Sequence, residues 1–278
     1  MAEKKYTYKT LIVQIFMTIS ALIFLTPILI VVNYAFKTKK ELYLKSPLAL
    51  PDNLNVENFL KAIKKLNIAT TLTNTFLYTA ISVILLAILC GSAAWAISRG
   101  KHRFFKFSYI YFLVGILIPA QALFLSIYIV GYRTGVVNTR PGIILMYVAT
   151  GISFGVFLMT SFMSTVPVEL EEAARIDGCS IYRTYFSIVM PLLKPAIATL
   201  IIMQAFGIWN DYLMASLFVS DKKLLTMTVS MRQFFSTTSS DYTSAMAGIV
   251  ILSLPIVILF LSLQKYFIKG MTVGAVKG

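Results

Sequence analysis

Long apolar runs separated by short polar segments set the pattern of this chain, and the runs have the length of membrane helices. A helix needs roughly 20 apolar residues to cross hydrocarbon, because lipid offers no partner to an unpaired backbone group. Stretches at about 11–36, 71–98, 104–132, 142–164, 195–219 and 243–268 meet that need. Pro27 should kink the first. That run exceeds a signal-peptide core and has no small-x-small site after it, so it reads as a retained span. Before the second run, "NLNVENFLKAIKKLN" places Val56, Phe59, Leu60, Ile63 and Leu66 at helical spacing with lysines opposite, which predicts a short interfacial helix. The expected fold class is all-α, a single polytopic membrane domain over 1–278 with six transmembrane helices.

The fourth and fifth runs flank the most polar of the bounded segments, 165–190. Pro167 suits a first helical turn, Glu169, Glu171 and Glu172 suit the positive end of a helix dipole, and Gly178 can take the left-handed conformation that ends a helix. Ser180 then caps a second helix carrying Ile181, Tyr185, Ile188 and Val189, which Pro191 and Pro195 stop. The two make a helical hairpin standing off the membrane. Small Ala173 and Ala174 permit close approach by another protein, and Glu172 is free to meet a backbone or a basic side chain. The residues alone leave an ordinary interfacial loop open.

Composition narrows the class. Apolar residues make up 58% and charged residues 13% of the 278, too little polar surface for a globule in water. The net charge of +14 comes from basic residues lying mainly between the apolar runs, where they meet lipid headgroups; no basic stretch interleaves with aromatics as a nucleic-acid groove would. With both termini inside, the inner segments carry 13 basic residues and the outer ones 12, so charge does not orient the chain, although the dense patch 99–106 favours its own side as cytoplasmic. Cys90 and Cys179 have neither disulfide-framework nor metal spacing. Lone His102 reads as a solvated turn residue, and Gly91, Ser92, Ala93 and Ala94 as a close helix contact. No G-x-x-x-x-G-K-[ST] string and no Ser, His and Asp constellation occurs, so no catalytic residue is assigned. Polar groups within apolar spans are costly unless used or paired, which makes Gln121, Gln204, Asn210 and Asp211 candidate functional positions, with the rings of Trp209 and Tyr212 beside them. Holding helices together, or a structural or gating role for Asp211, stays open.

The string Glu172, Ala173, Ala174, three residues, Gly178, nine residues, Ile188, one residue, Met190 and Pro191 resembles the E-A-A loop of ABC importer membrane subunits. Met190 stands where that pattern has Leu, a volume-conserving exchange. The stretch 118–139 and "WNDYL" at 209–213 resemble the carbohydrate-uptake group, and "GMTVGAVKG" at 270–278 is similar to the tail of the smaller membrane subunit of maltose importers. The resemblance implies a permease in the bacterial plasma membrane with both termini cytoplasmic, and a cargo that is a disaccharide or small oligosaccharide. It also implies a second homologous membrane subunit, two cytoplasmic ATPase subunits and an extracytoplasmic sugar-binding protein. Glu171, Glu172, Ala173, Ala174, Asp177 and Gly178 would couple to the ATPase, and Val273, Gly274 and Val276 in the tail would contact it. ATP and Mg would sit on those partners, with no cofactor in this chain. An importer for a non-sugar solute, or a stand-alone secondary transporter with internal repeats and paired intramembrane charges, are the alternatives.

Overall fold

The computed structural model describes residues 8–235 and 240–275. In chain order the helices are α1 (Tyr8–Phe36), α2 (Lys39–Leu44), α3 (Glu57–Leu66), α4 (Ile68–Arg99), α5 (Arg103–Leu117), α6 (Ala120–Arg133), α7 (Arg140–Met163), α8 (Glu169–Ile176) and α9 (Ile181–Thr184). A π-helical turn (Tyr185–Val189) leads through α10 (Met190–Leu192) to α11 (Lys194–Asn210), α12 (Leu213–Phe218), α13 (Met227–Ser230) and α14 (Tyr242–Ala275). Among the described residues extended pairing is confined to one isolated bridge, Phe235 with Ser240.

Four stretches can cross a membrane unaided by length and composition: Thr10–Phe36 in α1, all of α4, all of α7, and Tyr242–Gln264 in α14. Two bent pairs reach that standard only together, α5 with α6 at 105° and Ile181–Leu192 with α11 at 74°. The stretch 104–132 is therefore two helices, because Pro119 brings no N–H and disfavours helical backbone at Ile118, which is extended. The stretch 195–219 stops at Asn210, where Asp211 turns extended before α12 begins. Where the sequence reads a tail from 270, α14 continues to Ala275, so Val273 and Gly274 lie within a helix and Val276 lies outside the described residues.

Two compact units can be described in the chain. The first holds Met1–Ile68 and Met231–Ser253. In it α1 is bare, with none of its apolar window buried. The loop after α1 is instead tightly bonded. Asn58 donates to the carbonyls of Ala35 (2.9 Å) and Lys37 (2.8 Å), and wholly buried Lys37 donates to Ser46 O at 2.9 Å. These bonds turn α3 so that Asn58, Ala62 and Leu66 face inward while Val56, Leu60 and Ile63 stay exposed, a rotation away from the apolar stripe read in the sequence. Glu41 accepts from the amides of Asp52 (2.7 Å) and Thr38 (2.8 Å), and those bonds hold its carboxyl down at about 2.

The second unit holds Ala69–Ser230 and Leu254–Gly278, with a core where α4, α7 and α11 meet. Small residues set the spacing of these helices: a Cβ at Gly91 would lie 2.7 Å from Tyr185 Oη, and one at Gly155 would lie 2.4 Å from Cys90 Sγ. Gly91 and Ala94 are thus the contact that the sequence implied, while Ser92 is exposed. Segment 219–230 lies across the end of α4 farthest from Arg99 and buries Leu225, Met227 and Val229.

Candidate functional site

The segment 165–190 forms two short helices joined by a sharp turn. At the end of α8, Gly178 has φ +76°, its amide donates to Arg175 O (3.1 Å), and the Cys179 amide donates to Ala174 O (2.9 Å). These paired bonds satisfy the last carbonyls of α8 and require a left-handed residue at Gly178. Ser180 Oγ accepts from the Arg183 amide at 3.3 Å and starts α9. The second arm ends between Pro191, in its last turn, and Pro195, which sits in the first turn of α11 where its missing N–H costs nothing. Through the π turn the arm stays helical as far as Leu192 before bending into α11.

Helical geometry divides the acidic run. Glu172, Ala173, Asp177 and Gly178 are exposed, whereas Glu171 and Ala174, three apart, face inward. Glu171, 7% exposed, accepts from Arg99 Nε (2.9 Å) on one oxygen and from Trp95 Nε1 (2.9 Å) on the other. Arg99 Nη2 also donates to Val166 O at 2.8 Å. The outward surface carries Ile176, Ile181 and Tyr182, exposed by 87%, 63% and 75%. Sequence reasoning missed Arg99, Trp95, Ile176 and Tyr182. The usable signal was a solvent-facing Ile directly before the Asp177 and Gly178 turn. His102, expected to be solvated, is exposed, and its Nδ1 also accepts from the Phe104 amide (3.1 Å) to cap α5.

The pathway candidates fall into two groups. Gln204 and Asp211 line a cavity of about 250 Å³ with Ala120, Phe124, Tyr147 and Thr150. Asp211 accepts from Tyr147 Oη (2.9 Å) and from the amides of Met214 (3.3 Å) and Ala215 (2.8 Å), so it caps α12 while facing the cavity. Its carbonyl accepts from Thr228 Oγ1 at 2.7 Å. Gln204 lies 3.5 Å from Gly151 O, and a Cβ at Gly151 would displace it. The remaining four are elsewhere. Gln121 and Tyr212 are exposed, Asn210 bonds back to Phe206 O (2.9 Å), and buried Trp209 lines a separate apolar groove with Phe76, Val83 and Ile256. Tyr147 went unnoticed in the sequence because its partner is 64 residues away.

Residues 83–273 match the family model described as the binding-protein-dependent transport system inner membrane component. The chain is 35% identical over 257 residues to the probable starch degradation products transport system permease protein AmyC of Thermoanaerobacterium thermosulfurigenes, covering 92% of this chain and 93% of that one. It is 36% identical over 253 residues to the melibiose/raffinose/stachyose import permease protein MelC of Bacillus subtilis, covering 91% of each. In fold it resembles a chain of a bacterial ABC transporter involved in the import of the acidic polysaccharide alginate, with a TM-score of 0.82 at 22% identity over 96% of this chain and 99% of that one. A nearly all-helical chain with membrane-length helices, matched by this family model over most of its length, belongs to the family of binding-protein-dependent transport system inner membrane components.

Proposed function

We propose that this chain is the permease half of an ATP-driven importer for a disaccharide or small oligosaccharide, with six spans, each bent pair counting as one, and both termini cytoplasmic. The observation that carries the reading is the α8–α9 hairpin: a glycine-capped prong with exposed Glu172, Asp177 and Gly178 beside exposed Ile176, Ile181 and Tyr182. An apolar tip rimmed by carboxylates is the kind of surface that seats in a partner's pocket. Cytoplasmic ATPase subunits, holding ATP and Mg, dock there and on the end of α14 near Val273 and Gly274, and a second, similar membrane subunit completes the pathway. An extracytoplasmic sugar-binding protein delivers the cargo. Nucleotide-driven closure of the ATPase pair shifts the helices between two packings. The cavity at Gln204, Asp211 and Tyr147 offers carboxylate, amide and hydroxyl groups suited to sugar hydroxyls. Support for a sugar cargo comes from the similarity to permeases for starch degradation products and for melibiose, raffinose and stachyose.

The test is uptake of labelled raffinose or maltodextrin by the complex reconstituted with its ATPase subunits and binding protein. Glu172→Lys should abolish uptake with insertion intact; unchanged uptake would sink the docking reading. A thermal-shift screen of the binding protein that responds only to a non-sugar solute would sink the cargo assignment.

A further inference from the structure

The hairpin is bonded to the second span as well as to the fifth. The Arg99 guanidinium, 20% exposed, donates to Glu171 and Val166 on the first arm, while Trp95 donates to Glu171 and stacks on Tyr185 of the second arm at 5.0 Å. Both donors stand on the last turns of α4, so one helix end grips both arms.

At its other end α4 grips segment 219–230. Asn74 Nδ2 donates to the carbonyls of Lys223 (2.8 Å) and Leu225 (3.2 Å), Tyr78 Oη donates to Leu224 O (3.1 Å), and Thr75 Oγ1 accepts from the Met227 amide (2.9 Å). These three side chains are almost completely buried. Carbonyls bonded in this way add directional ties to the burial of Leu225, Met227 and Val229 and fix the strap to the helix. The strap in turn holds one residue of the cavity wall, because Thr228 bonds the Asp211 carbonyl at the break between α11 and α12. Asn74 and Trp95 lie roughly 30 Å apart along the axis at about 1.5 Å per residue, close to the hydrocarbon thickness. No proline interrupts the 32 residues of α4.

We propose that α4 is a push rod: Arg99 and Trp95 are positioning residues that carry movement of the docked hairpin along the helix to the 219–230 strap, which gates the far mouth of the cavity. This rests on the docking reading above and adds a route through the second span to that through the fifth. The strap end is held mainly by bonds to backbone and the hairpin end by bonds to the Glu171 carboxylate and the Val166 carbonyl, so displacement of one arm displaces the strap with it.

The experiment uses the full complex in proteoliposomes, with Cys90 and Cys179 replaced by alanine and spin labels at Lys222→Cys on the strap and Tyr132→Cys on α6. ATP should change the interlabel distance in the otherwise native chain. Trp95→Phe keeps an aromatic ring beside Tyr185 while deleting the N–H donor and part of the ring area, and Arg99→Lys keeps the charge and loses the two-pronged reach. Both should suppress the distance change and lower solute moved per ATP by about fivefold or more, the low end of ordinary coupling strengths, while ATP turnover persists. A strap that follows nucleotide in both variants as it does in the native chain overturns the proposal, and so does a strap that stays still in the native chain. Glu172→Lys tests the docking reading separately: uptake that survives there defeats docking whatever the strap does.

Discussion

Deleting the Arg99 guanidinium leaves the Glu171 carboxylate buried with only the Trp95 N–H as its side-chain partner. Arg99→Ala should therefore destabilise the chain by about 3 kcal/mol, read as a fall in thermal unfolding midpoint in detergent. Removing both partners together should cost less than the two single changes added, since no orphaned charge remains. Gly178→Ala is a gentler change: a Cβ there meets no atom within 4 Å, so the left-handed φ alone sets a penalty of about 1 kcal/mol. Its effect belongs on turn geometry and coupling, and global unfolding should move little. The sequence identified Gly178 because a helix stop needs that residue type. It did not separate Glu171 from Glu172, because neighbours on a helix point about 100° apart and only the unseen Arg99 decides which one turns inward.

The uninterrupted helices α1, α4, α7 and α14 were legible from the length of their apolar runs, since lipid imposes that length. The breaks were not, although each has a local cause: Pro119 removes a donor, and Asp211 offers its carboxylate to the amides of Met214 and Ala215 in competition with the helix. Asp211→Ala should cost about 1–2 kcal/mol through loss of the cap on α12, with Tyr147 Oη left unpaired as well. Tyr147→Phe should keep the cap, and comparing the two by hydrogen exchange over 213–218 separates capping from the tyrosine bond. The loop after α1 gives a pH-dependent element. Glu41 is held at about 2 against its ordinary 4.5, so its stabilisation is fully present above pH 4.5 and is lost as pH falls through 2. Exchange of the Thr38 and Asp52 amides should accelerate on acidification through that window, and Glu41→Gln should flatten the dependence.

Across the whole molecule, what the sequence conveyed was governed by the bilayer, and what it withheld was governed by contacts between distant segments. The family pattern located the hairpin, while the bonds tying it to α4 join residues 72 and 76 positions apart. The candidate pathway was half legible for the same reason: Gln204 and Asp211 are polar in apolar surroundings, whereas Tyr147 gains its meaning only from where α7 lies beside α11.

The 105° elbow between α5 and α6 has a bearing on water. The last four carbonyls of a helix have no donor within it, and Pro119 withholds the one that would follow. Hydrocarbon cannot satisfy such oxygens, so the elbow belongs against protein or a hydrated space, and Ala120, which borders the cavity, points to the second. A cysteine at 120 should accordingly react with a membrane-impermeant thiol reagent, whereas one at Leu125 on the same helix, facing outward, should not.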